Sequence, residues 1–290
     1  MIRDNYLAEV LSLNTIRTET YDSNNNPNGT GTGFYFNFFL DDARKHYVPC
    51  SVTNKHVVEN AKKAKVLVNV FETSKTPNFG EVTLQIYQDS KVFRTGQTQT
   101  MEIPDFEEHC IFHPDSEVDL CIYPFAAPGN ENIVNVALDN DNIPTIEDVG
   151  KLNAIEDILM VGYPNGLWDE YNNQPLFRTG STASHPAYNY NNRNEFVIDC
   201  ACYPGSSGSP VMLHNFGKEG REEFYGSGKK ILFLGILYSG PLSVAKTNID
   251  QVYSKVMINL GNVIKSSELL AFVDILKTST NYSEKDDVKQ

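Results

Sequence analysis

Short apolar runs rich in β-branched and aromatic residues, separated by polar turn-forming stretches, recur along most of this chain. Before residue 125 such runs occupy positions 34–38, 47–52, 66–70, 82–86 and 118–122. A second set follows at positions 158–162, 176–179, 196–199, 211–213, 231–237 and 256–258. Runs of this length, without a long amphipathic helix among them, are typical of antiparallel strands. The pattern therefore predicts an all-β protein built from two β units of similar size.

Helical spacing occurs only near the two ends of the chain. Asp4 is placed to cap a short N-terminal helix, and Ser266 or Ser267 to cap a second helix near the C-terminus. Between the two sets of strands, residues 126–150 are rich in Pro, Gly, Asn and Asp, which favours an inter-domain connection. The predicted domains are residues 1–135, residues 136–265 and, as a C-terminal helix and tail, residues 266–290.

The composition indicates a folded protein and argues against some classes of binding partner. Apolar residues make up 40% and charged residues 21% of the 290 residues, and the formal net charge is −13. The densest basic cluster is only Lys62, Lys63 and Lys65, whereas phosphate backbones and anionic membranes require extensive clusters of Lys and Arg. No apolar run approaches the roughly 20 residues of a membrane span. We therefore expect neither nucleic acid nor a membrane as a partner.

The cysteines argue against disulfides and against a metal centre. The chain has five, an odd number, and reduced, buried thiols are the simplest interpretation. Cys200-x-Cys202 is too short a spacing for a zinc knuckle.

The glycine-rich segment 29–33 is not followed by the Gly-Lys-Ser/Thr of a phosphate loop, so no cofactor is expected. Because the first residues also lack the pattern of a signal peptide, we expect a cytoplasmic protein.

The segment that most clearly suggests catalytic chemistry is the small-residue turn 203–210, between the apolar runs 196–198 and 211–213. Such a turn can hold the hydroxyl of Ser207 at the edge of a sheet. A serine hydroxyl is a poor nucleophile at neutral pH, so it needs a base, a group that orients the base, and donors for an oxyanion. If Gly205 adopts a conformation open mainly to glycine, the N–H groups of Gly205 and Ser207 can supply those donors. The alternative is a Gly- and Ser-rich hairpin that has no catalytic role.

Two residues of the first β unit fit the remaining roles. Among six histidines, His56 directly follows a strand and opens a short turn that the side chain of Thr53 can tie down. The orienting carboxylate should be held in a strand, and Asp119 stands at the head of an otherwise apolar one. Asp115 and Glu117 are close rivals in the polar loop before that strand.

The chain order His56, Asp119, Ser207 resembles that of the trypsin-like serine peptidases. Four segments also look like motifs of the HtrA-like bacterial branch of that family: 29–34, 53–61, 161–164 and 204–210. The resemblance implies a double antiparallel β-barrel, with His56 and Asp119 in the first barrel and Ser207 in the second. It further implies a serine endopeptidase that acts on protein or peptide substrates. A regulatory protein partner is compatible with this function. A catalytically silent relative that only binds a peptide or partner protein is the alternative.

The resemblance also implies where the substrate binds. The residues that align with the primary pocket and with the substrate-pairing strand are Ala201, Cys202, Tyr238, Ser239 and Gly240. Because these residues are uncharged, we expect a preference for small or medium apolar side chains. Digestive relatives carry aspartate where this chain has Ser206, so activation by a newly cleaved N-terminus is not expected. A C-terminal PDZ domain is not expected either.

Overall fold

The computed structural model describes residues 11–70, 98–125, 133–214, 231–246 and 253–280. Over these ranges the chain is mainly β-structure, which confirms the predicted all-β class. The strand predicted at 82–86 and the helix cap predicted at Asp4 lie outside the described residues.

Nine strands of the described N-terminal half form one sheet. They are β1 Thr15–Tyr21, β2 Pro27–Phe39, β3 Tyr47–Thr53, β4 Lys63–Val70, β5 Thr98–Pro104, β6 Ile111–Phe112, β7 Cys121–Pro124, β8 Ile133–Val134 and β9 Leu138–Asp139. The strand order is β5-β4-β1-β2-β3-β7-β6, with β8 beside β4 and β9 beside β2. The pair β2–β9 is parallel, which departs from the purely antiparallel prediction. It forms because the chain crosses back there and buries Leu138 in the core.

Six strands of the described C-terminal half close into a barrel in the order β10-β11-β12-β17-β14-β13. They are β10 Asp157–Gly162, β11 Leu176–Thr182, β12 Glu195–Asp199, β13 Pro210–Leu213, β14 Phe233–Ser239 and β17 Leu260–Lys265. Every neighbouring pair in this barrel is antiparallel, as predicted. Two further strands, β15 Leu242–Lys246 and β16 Tyr253–Met257, form a separate antiparallel pair.

The α-helices of the described ranges are short. They are α1 Lys55–Val58, α2 Ile146–Gly150 and α3 Ala271–Ser279. Single 3₁₀ turns occur at Phe106–His109, Asn140–Asn142, Pro164–Gly166, Tyr190–Asn192 and Ser266–Leu270. The helix predicted to begin at Ser266 or Ser267 therefore starts with a 3₁₀ turn, and the α-helix proper begins at Ala271. None of these helices has the length and apolar character needed to cross a membrane.

The segment 126–150, predicted as an irregular connection, contains regular structure in its described part. It holds β8, β9 and α2. Thr145 and Asp148 cap α2 reciprocally, since the Thr145 side chain accepts the Asp148 N–H and the Asp148 carboxylate accepts the Thr145 N–H. The many Asn and Asp residues of this segment thus act partly as caps. The predicted domain boundaries remain a prediction.

The two halves of the protein share a hydrophobic core. Phe34 and Phe36 of β2 are fully buried on the same face, because alternate residues of a strand point to one side. Phe34 meets Phe233 of β14 edge to face, with ring centroids 5.4 Å apart. Phe38 packs on Phe272 of α3 with centroids 6.1 Å apart. Full burial of a Phe side chain contributes about 1.5–3 kcal/mol, so these contacts fix the sheet against the barrel and define how their loops meet.

All five cysteines are free thiols, and all but the half-buried Cys110 are buried. Burial raises the pKa of the Cys50 thiol to about 12. A thiol with so high a pKa is a poor nucleophile near neutral pH. Cys50 is therefore a packing residue of the core.

Candidate active site

The turn between β12 and β13 presents Ser207 in a backbone conformation that depends on two glycines. Gly205 has φ +83° and Gly208 has φ +87°, in the left-handed region that favours glycine. A Cβ on Gly208 would lie 1.9 Å from the carbonyl oxygen of Thr32, so no larger residue fits there. Ser207 is half-buried, and its Oγ lies 3.4 Å from the carbonyl oxygen of Tyr238 in β14. The turn is thus rigidly shaped around one partly accessible hydroxyl.

Thr32 of β2 ties this turn to the first sheet. Its backbone N–H donates to the Ser207 carbonyl oxygen at 2.8 Å. Its hydroxyl donates to the Gly205 carbonyl oxygen at 3.0 Å and accepts the Tyr163 N–H at 3.1 Å. Thr32 is fully buried, so these bonds are shielded from water. Thr32 lies in the glycine-rich segment 29–33, but no motif there indicates its role in the turn.

Two backbone donors of the turn are left without partners. Neither the Gly205 N–H nor the Ser207 N–H has an acceptor among the described residues. The positive φ that was a condition for an oxyanion site at Gly205 is present in the structure. Unpaired N–H groups beside a serine hydroxyl are what an oxyanion site needs.

His56 and Asp119 come together at the edge of the first sheet. His56 lies in α1, directly after β3, and its Nδ1 is 2.5 Å from Oδ2 of Asp119. The other carboxylate oxygen of Asp119 accepts the His56 backbone N–H at 3.0 Å. The Asn54 side-chain amide donates to the Asp119 carbonyl oxygen at 2.8 Å. The imidazole is 45% exposed and the Asp119 side chain 23% exposed, so the ring is held from one side and open on the other.

The two rival carboxylates point elsewhere. Asp115 is exposed, and its Oδ1 accepts the Glu117 N–H at 2.9 Å within its own loop. Glu117 faces Arg193, with 3.5 Å between its Oε2 and the guanidinium Nη2. The structure therefore brings Asp119 to His56 and keeps Asp115 and Glu117 in the loop before it.

The loops that carry His56 and Ser207 are joined through β2 and β3. Thr53, at the end of β3, donates its hydroxyl to the Thr32 carbonyl oxygen at 2.8 Å. Thr32 in turn donates its N–H to the Ser207 carbonyl oxygen. Thr53 was expected to tie down its own turn, but it braces the neighbouring strand instead. His56 and Ser207, both described, share no direct hydrogen bond in this structure.

Other histidines and acidic residues do not assemble a metal site in the described part of the chain. His113 is buried, with its Nε2 3.2 Å from Oε2 of Glu268, so it joins the first sheet to the C-terminal 3₁₀ turn. His46 is exposed and pairs with Asp41 at 3.1 Å. Both pairs are therefore structural contacts, and neither forms an open binding cleft.

Four of the predicted pocket residues lie close together in space or bond to other strands of the barrel. A Cβ on Gly240 would lie 3.9 Å from the Cβ of Cys202 and 2.9 Å from the Leu260 carbonyl oxygen. The Ser239 hydroxyl accepts a hydrogen bond from the Asn262 side chain at 3.0 Å. The Tyr238 hydroxyl donates to the Glu195 carboxylate at 2.9 Å. The close approach of the Leu260 carbonyl oxygen in β17 is the reason that residue 240 must be glycine.

One charged residue near the predicted pocket was missed by the sequence analysis. Arg178 of β11 donates to the Ala201 carbonyl oxygen, and its guanidinium lies over the Tyr203 ring, 5.0 Å from the centroid. A hydrogen bond from Cys202 lowers the pKa of the Cys200 thiol, burial opposes that shift, and the Arg178 charge adds to it. Only the pairing of β11 with β12 and the fold of the turn that follows β12 bring Arg178 to residue 201, so no local motif reveals it.

Comparison with known proteins places this geometry in a family and a fold. The family model described as "trypsin-like peptidase domain" matches residues 31–217. No curated protein sequence matches the chain.

Three solved structures that match the chain are described as proteases, and each has low sequence identity to it. The Yersinia pestis serine endoprotease is 12% identical, with a TM-score of 0.50 over 94% of this chain and 66% of that one. An HtrA-type protease solved with a tripeptide, AlgW, is 12% identical, with a TM-score of 0.49 over 95% of this chain and 63% of that one. Rv3671c of Mycobacterium tuberculosis is 14% identical, with a TM-score of 0.44 over 97% of this chain and 94% of that one. At 12% identity the match to the Yersinia pestis structure shows a shared fold alone, and the chain spans 66% of that structure and 63% of AlgW.

Proposed function

Because the chain belongs to the trypsin-like peptidase family, we propose that it is a serine endopeptidase acting through Ser207, His56 and Asp119. The observation that carries this proposal is the contact of His56 Nδ1 with the Asp119 carboxylate at 2.5 Å. That contact leaves Nε2 on the open side of the ring, and a histidine oriented in this way can act as a general base.

Acylation gives each group a defined role, and His56 acts first as base and then as acid. The Ser207 Oγ attacks the scissile carbonyl carbon while its proton passes to His56 Nε2. The Asp119 carboxylate stabilises the imidazolium that results. The carbonyl oxygen becomes an oxyanion, which the N–H groups of Gly205 and Ser207 bind. His56 then gives its proton to the leaving amine, the C–N bond breaks, and an ester on Ser207 remains.

Deacylation repeats the sequence with water as the nucleophile. His56 takes a proton from the water, whose oxygen attacks the ester carbonyl. The oxyanion again lies at Gly205 and Ser207, and collapse returns the proton to Ser207 Oγ while a carboxylic acid leaves. Protein and peptide substrates follow from the family, and the segment Tyr238–Gly240 is the proposed place where their backbone pairs. A cytoplasmic location and a regulatory protein partner are further proposals.

A binding module without activity is the second candidate function. The observation that favours it is the lack of a direct hydrogen bond between His56 and Ser207. However, catalytic hydrogen bonds are often long before substrate binds and tighten in the complex. The donors at Gly205 and Ser207, which have no acceptor in the described part of the chain, stand beside a hydroxyl, a base and a carboxylate, and a module that only binds has no need of all of these together. We therefore rank the enzyme first.

A fluorophosphonate probe separates the two functions. We expect the purified protein to be labelled on Ser207 and to cleave an unfolded protein such as casein. Ser207→Ala should abolish both signals, and His56→Ala should nearly do so. Ser206→Ala is the matched control, because the buried Ser206 hydroxyl has no hydrogen-bond partner among the described residues, so its removal breaks no bond seen there. Equal labelling in wild type and Ser207→Ala would contradict the enzyme, and no labelling of folded wild type would favour the binding module.

A further inference from the structure

The loop after β10 covers the turn that carries Ser207. The Asn165 N–H donates to the Pro204 carbonyl oxygen at 2.6 Å. A Cβ on Gly205 would lie 2.6 Å from the Tyr163 carbonyl oxygen and 3.2 Å from the Asn165 nitrogen, so the two backbones are in direct contact. The conformation of loop 163–168 therefore bears directly on Gly205.

The bond from Asn165 orients the Gly205 donor. Pro204 and Gly205 share one peptide group, which is planar and trans, so its C=O and N–H point in opposite directions. When Asn165 holds the Pro204 oxygen on one side, the Gly205 N–H is directed to the other side. It is one of the two donors that the proposed function uses for the oxyanion. Losing the Asn165 bond would free this peptide to rotate.

Loop 163–168 is held both by local bonds, from the Gly166 N–H to the Tyr163 carbonyl oxygen and from the Leu167 N–H to the Pro164 carbonyl oxygen, each 2.9 Å, and by two tertiary anchors. Asn165 has φ +51° and Gly166 has φ +70°, two consecutive residues in the left-handed region. Asparagine tolerates this region better than other non-glycine residues, so Asn165 suits the turn locally, and tertiary contacts fix where the turn lies against the rest of the protein. Tyr163 supplies one anchor, because its buried hydroxyl donates to the Thr15 carbonyl oxygen at 3.2 Å.

Arg17 of β1 supplies the second anchor. Its Nε donates to the Gly166 carbonyl oxygen at 2.9 Å, and its guanidinium lies over the Trp168 ring, 4.0 Å from the centroid. Its Nη1 donates to the Glu19 carboxylate at 2.5 Å, and the Arg17 side chain is only 14% exposed. Burial raises the pKa of Glu19, but hydrogen bonds from Arg17 and Tyr21 outweigh this and lower it, so Glu19 stays anionic and holds the guanidinium.

We propose that Arg17 is a positioning residue that keeps the Gly205 N–H directed toward the oxyanion. Arg17 fixes Gly166, the adjoining Asn165 fixes the Pro204 carbonyl, and that peptide fixes the Gly205 donor. The first sheet thereby controls the geometry of the turn after β12. The catalytic part of this inference rests on the proposed function, and the structural part does not.

Kinetics of Arg17 variants test the catalytic part. Arg17→Ala should lower kcat by about 10-fold or more with KM nearly unchanged, since loss of a whole oxyanion donor costs about 10²–10³ in kcat. Arg17→Lys keeps the charge and one donor but not the planar stacking, so it should retain an intermediate kcat. Arg44→Ala is the matched control, because Arg44 also pairs with carboxylates and stacks on a ring, Phe39, at 4.0 Å, but touches neither loop. A kcat for Arg17→Ala within twofold of wild type, or a change confined to KM, overturns the proposal.

Hydrogen exchange tests the structural part without activity. In the Ser207→Ala background, Arg17→Ala should raise exchange roughly 10-fold in peptides covering 163–168 and 203–207, with β11 unchanged. The chain has one tryptophan, so the fluorescence of Trp168 should change as well. Unchanged exchange in both peptides overturns the proposal even if wild type is an active peptidase. Conversely, loosened loops in a protein that never labels would refute the proposed function and uphold the anchoring role of Arg17.

Discussion

One carboxylate holds His56 at two points. Asp119 contacts the ring at Nδ1, 2.5 Å from Oδ2, and accepts the backbone N–H of the same residue at 3.0 Å. A residue held through both its side chain and its main chain cannot rotate without breaking one of the two bonds. The tautomer that carries the proton on Nδ1 is therefore favoured, and Nε2 is left as the acceptor.

Replacing Asp119 with asparagine should keep the fold and lower kcat by about 10⁴, because the amide can favour the wrong imidazole tautomer. That magnitude comes from the general serine–histidine–aspartate template and not from this chain. Steady-state cleavage of a peptide substrate measures the effect, with the melting temperature as the check on folding.

Asp115→Asn is the control for this experiment, since Asp115 is exposed and bonds only within its own loop in the described structure. It should change kcat by less than about twofold, the range expected of a residue outside the reacting groups. If Asp115→Asn were the damaging change and Asp119→Asn the mild one, the carboxylate at His56 would be wrongly assigned.

The sequence predicts those parts of the site that depend on local patterns. His56 follows a recognisable strand, Asp119 precedes one and Ser207 lies in a small-residue turn, and the structure brings His56 and Asp119 together. The contacts of Arg17 with Gly166 and of Arg178 with Ala201 could not be predicted. Each joins elements that are adjacent only after the strands have paired, and a lone arginine in a strand carries no signal of its partner.

In the fold, too, features with a local sequence pattern could be predicted and features that depend on tertiary contacts could not. Apolar runs predict β2, β3, β4, β7 and most barrel strands, because burial of one face of a strand leaves a clear pattern in the sequence. The strands β5, β15 and β17 lie outside the predicted runs. Segment 133–150 reads as a loop because β8 and β9 are two residues long and α2 is five. Elements this short rest on caps and on tertiary pairing, which periodicity does not detect.

Thr32→Val should destabilise the protein and disturb the nucleophile turn. The hydroxyl bonds both the Gly205 carbonyl and the Tyr163 N–H, and valine leaves those buried groups unpaired. An unpaired buried group costs about 1–3 kcal/mol, and urea unfolding measures the loss. Thr32→Ser keeps the hydroxyl and should lose much less. Equal destabilisation by valine and serine would show that the methyl group, and not the hydroxyl, is what matters.

Gly208→Ala should be among the most damaging single-methyl additions in the described chain. The new Cβ would lie 1.9 Å from the Thr32 carbonyl oxygen, and φ +87° is unfavourable for alanine. We expect a large drop in melting temperature and loss of probe labelling.

Gly150→Ala is the matched control, because a Cβ there meets nothing within 4 Å at the end of α2. In a helix, alanine is favoured over glycine by about 0.8–1 kcal/mol, so this variant should be neutral or stabilising. Similar melting temperatures for the two variants would contradict the close packing of Gly208 on β2.

The primary pocket should prefer small or medium apolar side chains before the scissile bond. Ala201, Cys202 and Gly240 are uncharged, and the Arg178 guanidinium is engaged by the Ala201 carbonyl and the Tyr203 ring. A size change in an apolar pocket is worth about 1–3 kcal/mol, so selectivity should be graded. An unpaired charge should be disfavoured more strongly because it loses its hydration. The measurement is kcat/KM for matched peptides with Ala, Val, Leu, Glu or Arg at this position.

Arg178→Gln separates the two ways in which that prediction can fail. The glutamine amide can still donate to the Ala201 carbonyl but carries no charge, so an apolar pocket should keep its order of preference in this variant. If wild type prefers Glu and Arg178→Gln loses that preference, Arg178 reaches into the pocket and reads a carboxylate. If wild type prefers Arg, the exposed Asp199 is the nearest carboxylate in sequence, and Asp199→Asn should abolish the preference. Either result would replace the apolar assignment with a charged one and name the residue responsible.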